Sequence, residues 1–277
     1  LLFYVALLRS LLISKFLIMK NIIFIMFIAL TISCSKDDET KANENNTATS
    51  STSTSNSLAV GTSANGILSA TKFKSLVVDL VYVAGFEPTP SAVDNLVAFL
   101  EARTNKPNGI TVQKREIATP GLSPYSQADL INVEANFRTI FSSENQIAIW
   151  AFFADGTSSN TNGNSVVLGT AYRNTSFVIY EESIHGFSDS PFEPDRDKLE
   201  ATVIRHEFGH LFGLTNLGTP LQTAHEDAAH PKHCDVENCL MFWQSETGEG
   251  VLNMLSGGTI PELDSQCILD LQANGGK

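Results

Sequence analysis

Basic residues are scarce. The 277-residue chain carries 18 Lys and Arg against 30 Asp and Glu, for a formal net charge of −12. Gripping a phosphate backbone needs clustered Lys and Arg, so no nucleic-acid partner is expected. Cysteine is scarce too, with four residues at positions 34, 234, 239 and 267. No G-x-S-x-G elbow occurs, which leaves a serine hydrolase without support. Neither a G-x-G-x-x-G nor a Walker pattern is present, and the acids around Pro194 lack EF-hand spacing. No internal repeat is visible. What is plentiful is apolar content, 43% of the chain. That is enough to fill the core of one large domain or two packed lobes.

The apolar residues begin early. Met19-Lys20-Asn21 followed by Ile22 to Leu30 has the order and length of a signal peptide. Residues 1–33 are therefore expected to be upstream sequence and a signal peptide. The other reading is one membrane span, which Arg9, Lys15 and Lys20 interrupt. Thr31-Ile32-Ser33-Cys34 resembles a bacterial lipobox, and Ser35-Lys36-Asp37-Asp38-Glu39 resembles the surface-export signal of Bacteroidetes-type lipoproteins. Lipidation at Cys34 would place the chain on the bacterial outer membrane or cell surface, touching membrane only through that anchor. Residues 34–57 are rich in Ser, Thr and Asn and read as a flexible tether. The globular domain is expected over 58–277. An exported location allows disulfides. The three cysteines beyond Cys34 permit at most one bridge. Cys234 with Cys239, across a short loop, is the preferred pair, and two free buried thiols are the other reading.

Within the domain, Ser75–Val83 is apolar and β-branched, which predicts a strand. Helical spacing follows from Ser91 to Arg103, with Ser91 as the expected cap. Gly109–Ile117 predicts a strand, Ser126–Phe141 a helix, and Gln146–Phe153 a third strand. Val166–Ala171 and Thr175–Tyr180 predict an antiparallel pair across Arg173-Asn174. Asp197-Lys198-Leu199-Glu200 has the form of a capping box opening a further helix, and Gly213 fits its stop. The order implies an α+β fold: a mixed, mostly parallel twisted sheet with packed helices, an active-site helix, then a small irregular C-terminal subdomain.

That helix carries His206-Glu207-Phe208-Gly209-His210. Imidazoles at i and i+4 share a helix face and can reach one zinc ion. Glu207 points to another side, where it can take a proton from a metal-activated water. A solvated helix face could produce the same five letters by chance. Ile204, Phe208, Leu211 and Phe212 make this helix too apolar for that, and five of the six histidines fall between 206 and 233. A third ligand is still needed. His225, His230 and His233 are the candidates, with Asp227 weaker. His230 precedes Pro231 and reads as surface.

His206-Glu207-x-x-His210-x-x-Gly213, followed by His233-Cys234-x4-Cys239-x-Met241, resembles the archaemetzincin branch of the metzincin metallopeptidases, whose pattern is HExxHxxGxxHC-x4-C-x-M. The resemblance implies a zinc endopeptidase of zincin-like fold acting on peptide or protein substrates, with Glu207 as general base. It implies that Met241 forms a hydrophobic floor beneath the histidines. It also implies that a strand near Val166–Ala171 edges the cleft, where an extended peptide would pair. The chain departs from the pattern at Asn216, where the family has its third His, and in a 16-residue insertion, Leu217 to Lys232. His233 is favoured as third ligand because its separation from Met241 is the family's own; His225 is the alternative. The family's further cysteines for a second, structural zinc are reduced here to Cys267, which again favours a Cys234–Cys239 bridge. The rival function is a surface binding or adhesion lipoprotein with a non-catalytic metal, which would need a fourth protein ligand and leave Glu207 without a task.

Overall fold

The computed structural model describes residues 56–161, 166–188, 190, 193–248 and 259–277. The expected signal peptide, Cys34 and nearly all of the tether lie outside the described residues. A short helix α1 (Ala64–Leu68) leads into β1 (Ser75–Val83), α2 (Pro90–Arg103), β2 (Ile110–Ile117), α3 (Gln127–Phe137) and β3 (Gln146–Ala154). Then come β4 (Gly169–Arg173), β5 (Ser176–Tyr180), α4 (Glu181–Gly186), α5 (Arg196–Leu211), a 3-10 turn at Trp243–Glu246, and α6 (Ser265–Ala273). The fold is mixed α/β, with five strands in the order β2-β1-β3-β5-β4. All neighbours are parallel except β4 with β5.

Burial explains the order. β1 and β3 are almost wholly apolar and take the interior positions, where both faces are covered. β2 alternates with exposed residues and forms one edge. Alternate residues then divide the core. Leu76, Val78 and Leu80 of β1, with Ile147, Ile149, Ala151 and Phe153 of β3, pack beneath α2 and α5. Val81, Val83, Trp150, Phe152 and Ala154 face α3 on the other side. The result is three layers, with α5 laid across the sheet and thirteen of its residues buried. The short β4 forms the other edge and touches α5.

Two expected caps sit elsewhere. α2 is capped by Thr89, whose side chain accepts from the Ala92 amide, because Pro90 is suited to the first helical position. The capping box at Asp197–Glu200 is absent. The helix starts one residue earlier, Asp197 accepts from Ser91 Oγ at 3.0 Å, and Glu200 turns inward. There its carboxyl accepts from the Thr89 amide at 2.8 Å and from the Thr89 hydroxyl. α3 also ends early, at Phe137, because Arg138 adopts an extended backbone. That swings its guanidinium into the Glu134 carboxylate and the Ala148 carbonyl.

Burial beside Glu181 pushes the Glu200 carboxyl up from 4.5 to about 8. A raised acid contributes stability that is complete below its unfolded value and lost as pH rises toward the folded one. The melting temperature should therefore fall between about pH 5 and pH 8 by more than in Glu200→Gln, whose profile should be flatter across that window. Thermal melts of both proteins at matched pH values check this. Parallel profiles would contradict it.

Candidate metal centre

His206 and His210 lie one turn apart on the buried face of α5, with ring centroids 4.7 Å apart. His206 Nδ1 meets the Leu240 carbonyl at 2.7 Å. A carbonyl only accepts, so Nδ1 carries the proton and Nε2 carries a lone pair. That Nε2 is buried with no hydrogen-bond partner. Burial, reinforced by His210, holds His206 down to about 3, and burial lowers His210 as well. Both rings are neutral donors near pH 7.

His233 arrives from across the insertion. Its ring lies 5.4 Å from His206 and 5.2 Å from His210, centroid to centroid. The geometry of the insertion base explains how. α5 ends at Leu211, and the chain turns away at Gly213, which has φ +73° and room for no side chain, since a Cβ would lie 2.8 Å from the Thr219 amide nitrogen. Thr215 and Asn216 then adopt positive φ, 52° and 70°, which is uncommon for residues with a Cβ. The Thr215 hydroxyl donates to the Lys232 carbonyl, and Asn216 donates to Glu226 at 3.0 Å. The insertion is thus pinched at its neck, and His233 emerges beside the helix. Asn216 closes a turn. His230 lies apart, stacked on Trp243 and paired with Asp227.

A fourth donor joins these three. Glu246 Oε2 lies 3.7 Å from Nε2 of both His206 and His210, and Oε1 lies 3.3 Å from His233 Nε2. The four donor atoms fall within 4.8 Å of one another. Zinc bonds to nitrogen and oxygen at about 2.0–2.1 Å, so tetrahedral partners stand about 3.4 Å apart. The orphaned Nε2 of His206 and this spacing fit a metal ion.

Glu207 leaves the same helix toward β4 and is fully buried. Burial, then the charge of Glu246, raises its carboxyl well above the usual range, and the Ala171 backbone amide works the other way. Gly169 makes room for it: a Cβ there would lie 2.5 Å from Glu207 Oε1 and 2.7 Å from Val203. Beneath the helix, Met241 presses on Gly209, where a Cβ would meet its sulfur at 2.1 Å. Met241 is fully buried, and its carbonyl accepts from the Cys234 amide at 2.8 Å, tying the floor to the segment that carries His233.

His225 belongs to a different cluster. Its Nδ1 lies 3.5 Å from Cys234 Sγ and its Nε2 2.8 Å from Asp270. Cys239 Sγ is 3.6 Å from Cys267 Sγ and accepts from the amides of Met241 and Asp264. Asp264 caps α6 by accepting from the Cys267 amide at 2.8 Å. The expected Cys234–Cys239 bridge is not formed; Cys234, Cys239 and Cys267 are free thiols. The physical reason is convergence. Cys234 lies against His225 and Cys239 against Cys267, and hydrogen bonds from Cys234 and Cys267 hold the Cys239 thiol below its usual range. His225, Cys234, Asp264 and Cys267 also have donor atoms within 4.8 Å of one another.

Sequence reasoning did not single out Glu246, Asp270, Gly169 or Gly209. Glu246 follows Met241 by five residues in no recognisable motif. The glycines matter only through neighbours from distant segments. A faint signal existed for the second cluster in Asp264-x-x-Cys267, a ligand-like spacing with an acid at one end.

No protein-family profile matches the chain, and no curated protein does. Among solved structures, the chain is similar in fold to the archaemetzincin of Methanopyrus kandleri, at 19% identity and a TM-score of 0.44. The match covers 73% of this chain and 95% of that one.

Proposed function

We propose that this chain is a zinc-dependent endopeptidase. The observation that carries the reading is the convergence of three buried imidazoles, with a buried carboxylate from the same helix aimed past them toward an edge strand. His206, His210 and His233 would hold the zinc ion. When bound, it would polarise a substrate carbonyl and bring the pKa of a water to near 7. Leu240 orients His206 through its Nδ1 proton. Met241 and Gly209 fix the depth of the helix.

Glu207 is general base and then general acid. Its raised proton affinity suits it to take a proton from water and deliver it to the leaving amine. Among the described residues β4 pairs within the sheet with β5 alone, and Thr170 and Ala171 line a cavity of about 250 Å³ with His210, His233 and Glu246. An extended peptide would pair along this edge and lay its scissile carbonyl over the histidines. His225, Cys234, Asp264 and Cys267 would hold a second ion in a closed, structural site, a donor set that suits tetrahedral zinc. The chain is carried on the bacterial outer membrane or cell surface by lipid on Cys34, a reading supported by the apolar run before that residue.

One observation favours the rival reading of a non-catalytic metal: Glu246 stands where a fourth protein ligand would. A digest separates the two. Zinc-loaded protein should cleave members of a broad peptide library, lose that activity to a chelator and regain it with zinc. Full zinc occupancy with no cleavage by wild type or by Glu246→Ala would favour the rival.

A further inference from the structure

Glu246 has no place in the hydrolytic scheme above, yet its carboxylate is aimed at all three imidazoles. Its separations of 3.3 and 3.7 Å are longer than good N–H···O hydrogen bonds, which run about 2.7–3.2 Å. They match the roughly 3.4 Å expected between ligands sharing one tetrahedral ion. No side chain other than this carboxylate completes the cluster among the described residues.

The backbone that carries it is equally specific. The Leu168 amide donates to the Glu246 carbonyl at 2.8 Å, and the Gly248 amide donates to the Val166 carbonyl at 2.9 Å. Thr247 sits opposite Val167 in an antiparallel bridge. Residues 246–248 therefore lie along the chain that enters β4 as an added strand would. A peptide substrate is expected to use the same edge and the same mode.

We propose that Glu246 is a fourth, displaceable ligand of the ion held by His206, His210 and His233, carried on a strand-like segment that covers part of the edge a peptide substrate would use. The site is closed at rest, and a substrate opens it by displacing that segment. The exchange is a simple ligand substitution. The carboxylate leaves with its own lone pair as the incoming oxygen donor enters, so no proton or electron changes hands. Displacement is built in. Glu246 keeps about a quarter of its side chain exposed, whereas His206 is fully enclosed. Among the described residues, its segment is held to the chain entering β4 by the two backbone bonds that make this single bridge. The space kept for Glu207 by Gly169 would serve nothing in a permanently closed site.

The proposal rests on the histidine site of the peptidase reading, and its test reads ligand access directly. Cobalt(II)-loaded full-length protein would be titrated with azide and followed by visible absorption, for wild type, Glu246→Gln and Glu246→Ala. Both variants should bind azide at least about tenfold more tightly than wild type. Equal azide affinity in all three would overturn the proposal, whatever the hydrolytic rates. The same samples would be assayed on peptides. Tighter azide binding with no cleavage by any of them would keep Glu246 as a ligand and remove the peptidase reading. Equal azide affinity with ready cleavage would do the reverse. Gln keeps the side-chain volume, so agreement between the two variants separates loss of a ligand from local collapse.

Discussion

Glu207→Gln should keep its zinc and lose peptide hydrolysis by about 10²–10⁴-fold, the usual scale of general acid–base catalysis. The structure makes this substitution unusually clean. Gln has nearly the shape of the acid it replaces, and the side chain is enclosed by Gly169, Ala171 and Val203. It is not aimed at the point where the histidines meet, so metal content should not change. Burial already disfavours the charged carboxylate. Removing that charge should leave the melting temperature unchanged or raise it at neutral pH. Loss of rate with metal and stability retained identifies a proton-transfer role. Undiminished kcat/KM would remove Glu207 from the chemistry.

The second large effect concerns which histidine serves which ion. His233→Ala should strip the ion from the helix site, with a loss of affinity well beyond the roughly 10–100-fold typical of an outer-shell change. Hydrolysis should vanish with it. His225→Ala should leave the helix site and its ion in place and disturb the sulfur cluster instead. Its expected signature is a lower melting temperature and weaker retention of one zinc, with residual activity in the molecules that stay folded. Metal counting by mass spectrometry under native conditions, paired with melts, reads both variants. The opposite pattern, with His225→Ala abolishing the helix-site ion, would reassign the third ligand.

Much of the fold was legible because it depends on local pattern. The β-branched run at Ser75–Val83 and the strongly apolar run at Gln146–Phe153 bury both faces, and that marks them as interior strands. The turn at Asn174 between β4 and β5 was visible for the same reason. The caps were misjudged where a tertiary partner competed. Glu200 satisfies the capping-box spacing, but Thr89 from another helix binds its carboxyl first. Ser91 looks like a cap, but Pro90 prefers the position after one, so Thr89 takes the role.

The candidate site divides along the same line. His206 and His210 need only helix geometry to share a face. His233 was favoured over His225 only through its family-like separation from Met241, because the residues alone do not show how a 16-residue loop closes. Thr215, Asn216 and Lys232 settle that closure through positive φ and one hydroxyl bond. Cys267 could not be joined to Cys234 and Cys239 from sequence, because α6 brings it back from outside the motif. Glu246 was invisible for a further reason. Its place comes from strand-like pairing of its segment, in which its carbonyl accepts from the Leu168 amide and the Gly248 amide donates to Val166, and no local pattern around it encodes that.

The most direct measurement is a zinc-edge anomalous diffraction map of the full chain. One peak is expected bonded to Nε2 of His206, His210 and His233 with a carboxylate oxygen of Glu246 beside it, and a second among His225, Cys234, Asp264 and Cys267. A map with no peak at the three histidines, or one in which His225 replaces His233 there, would contradict this assignment.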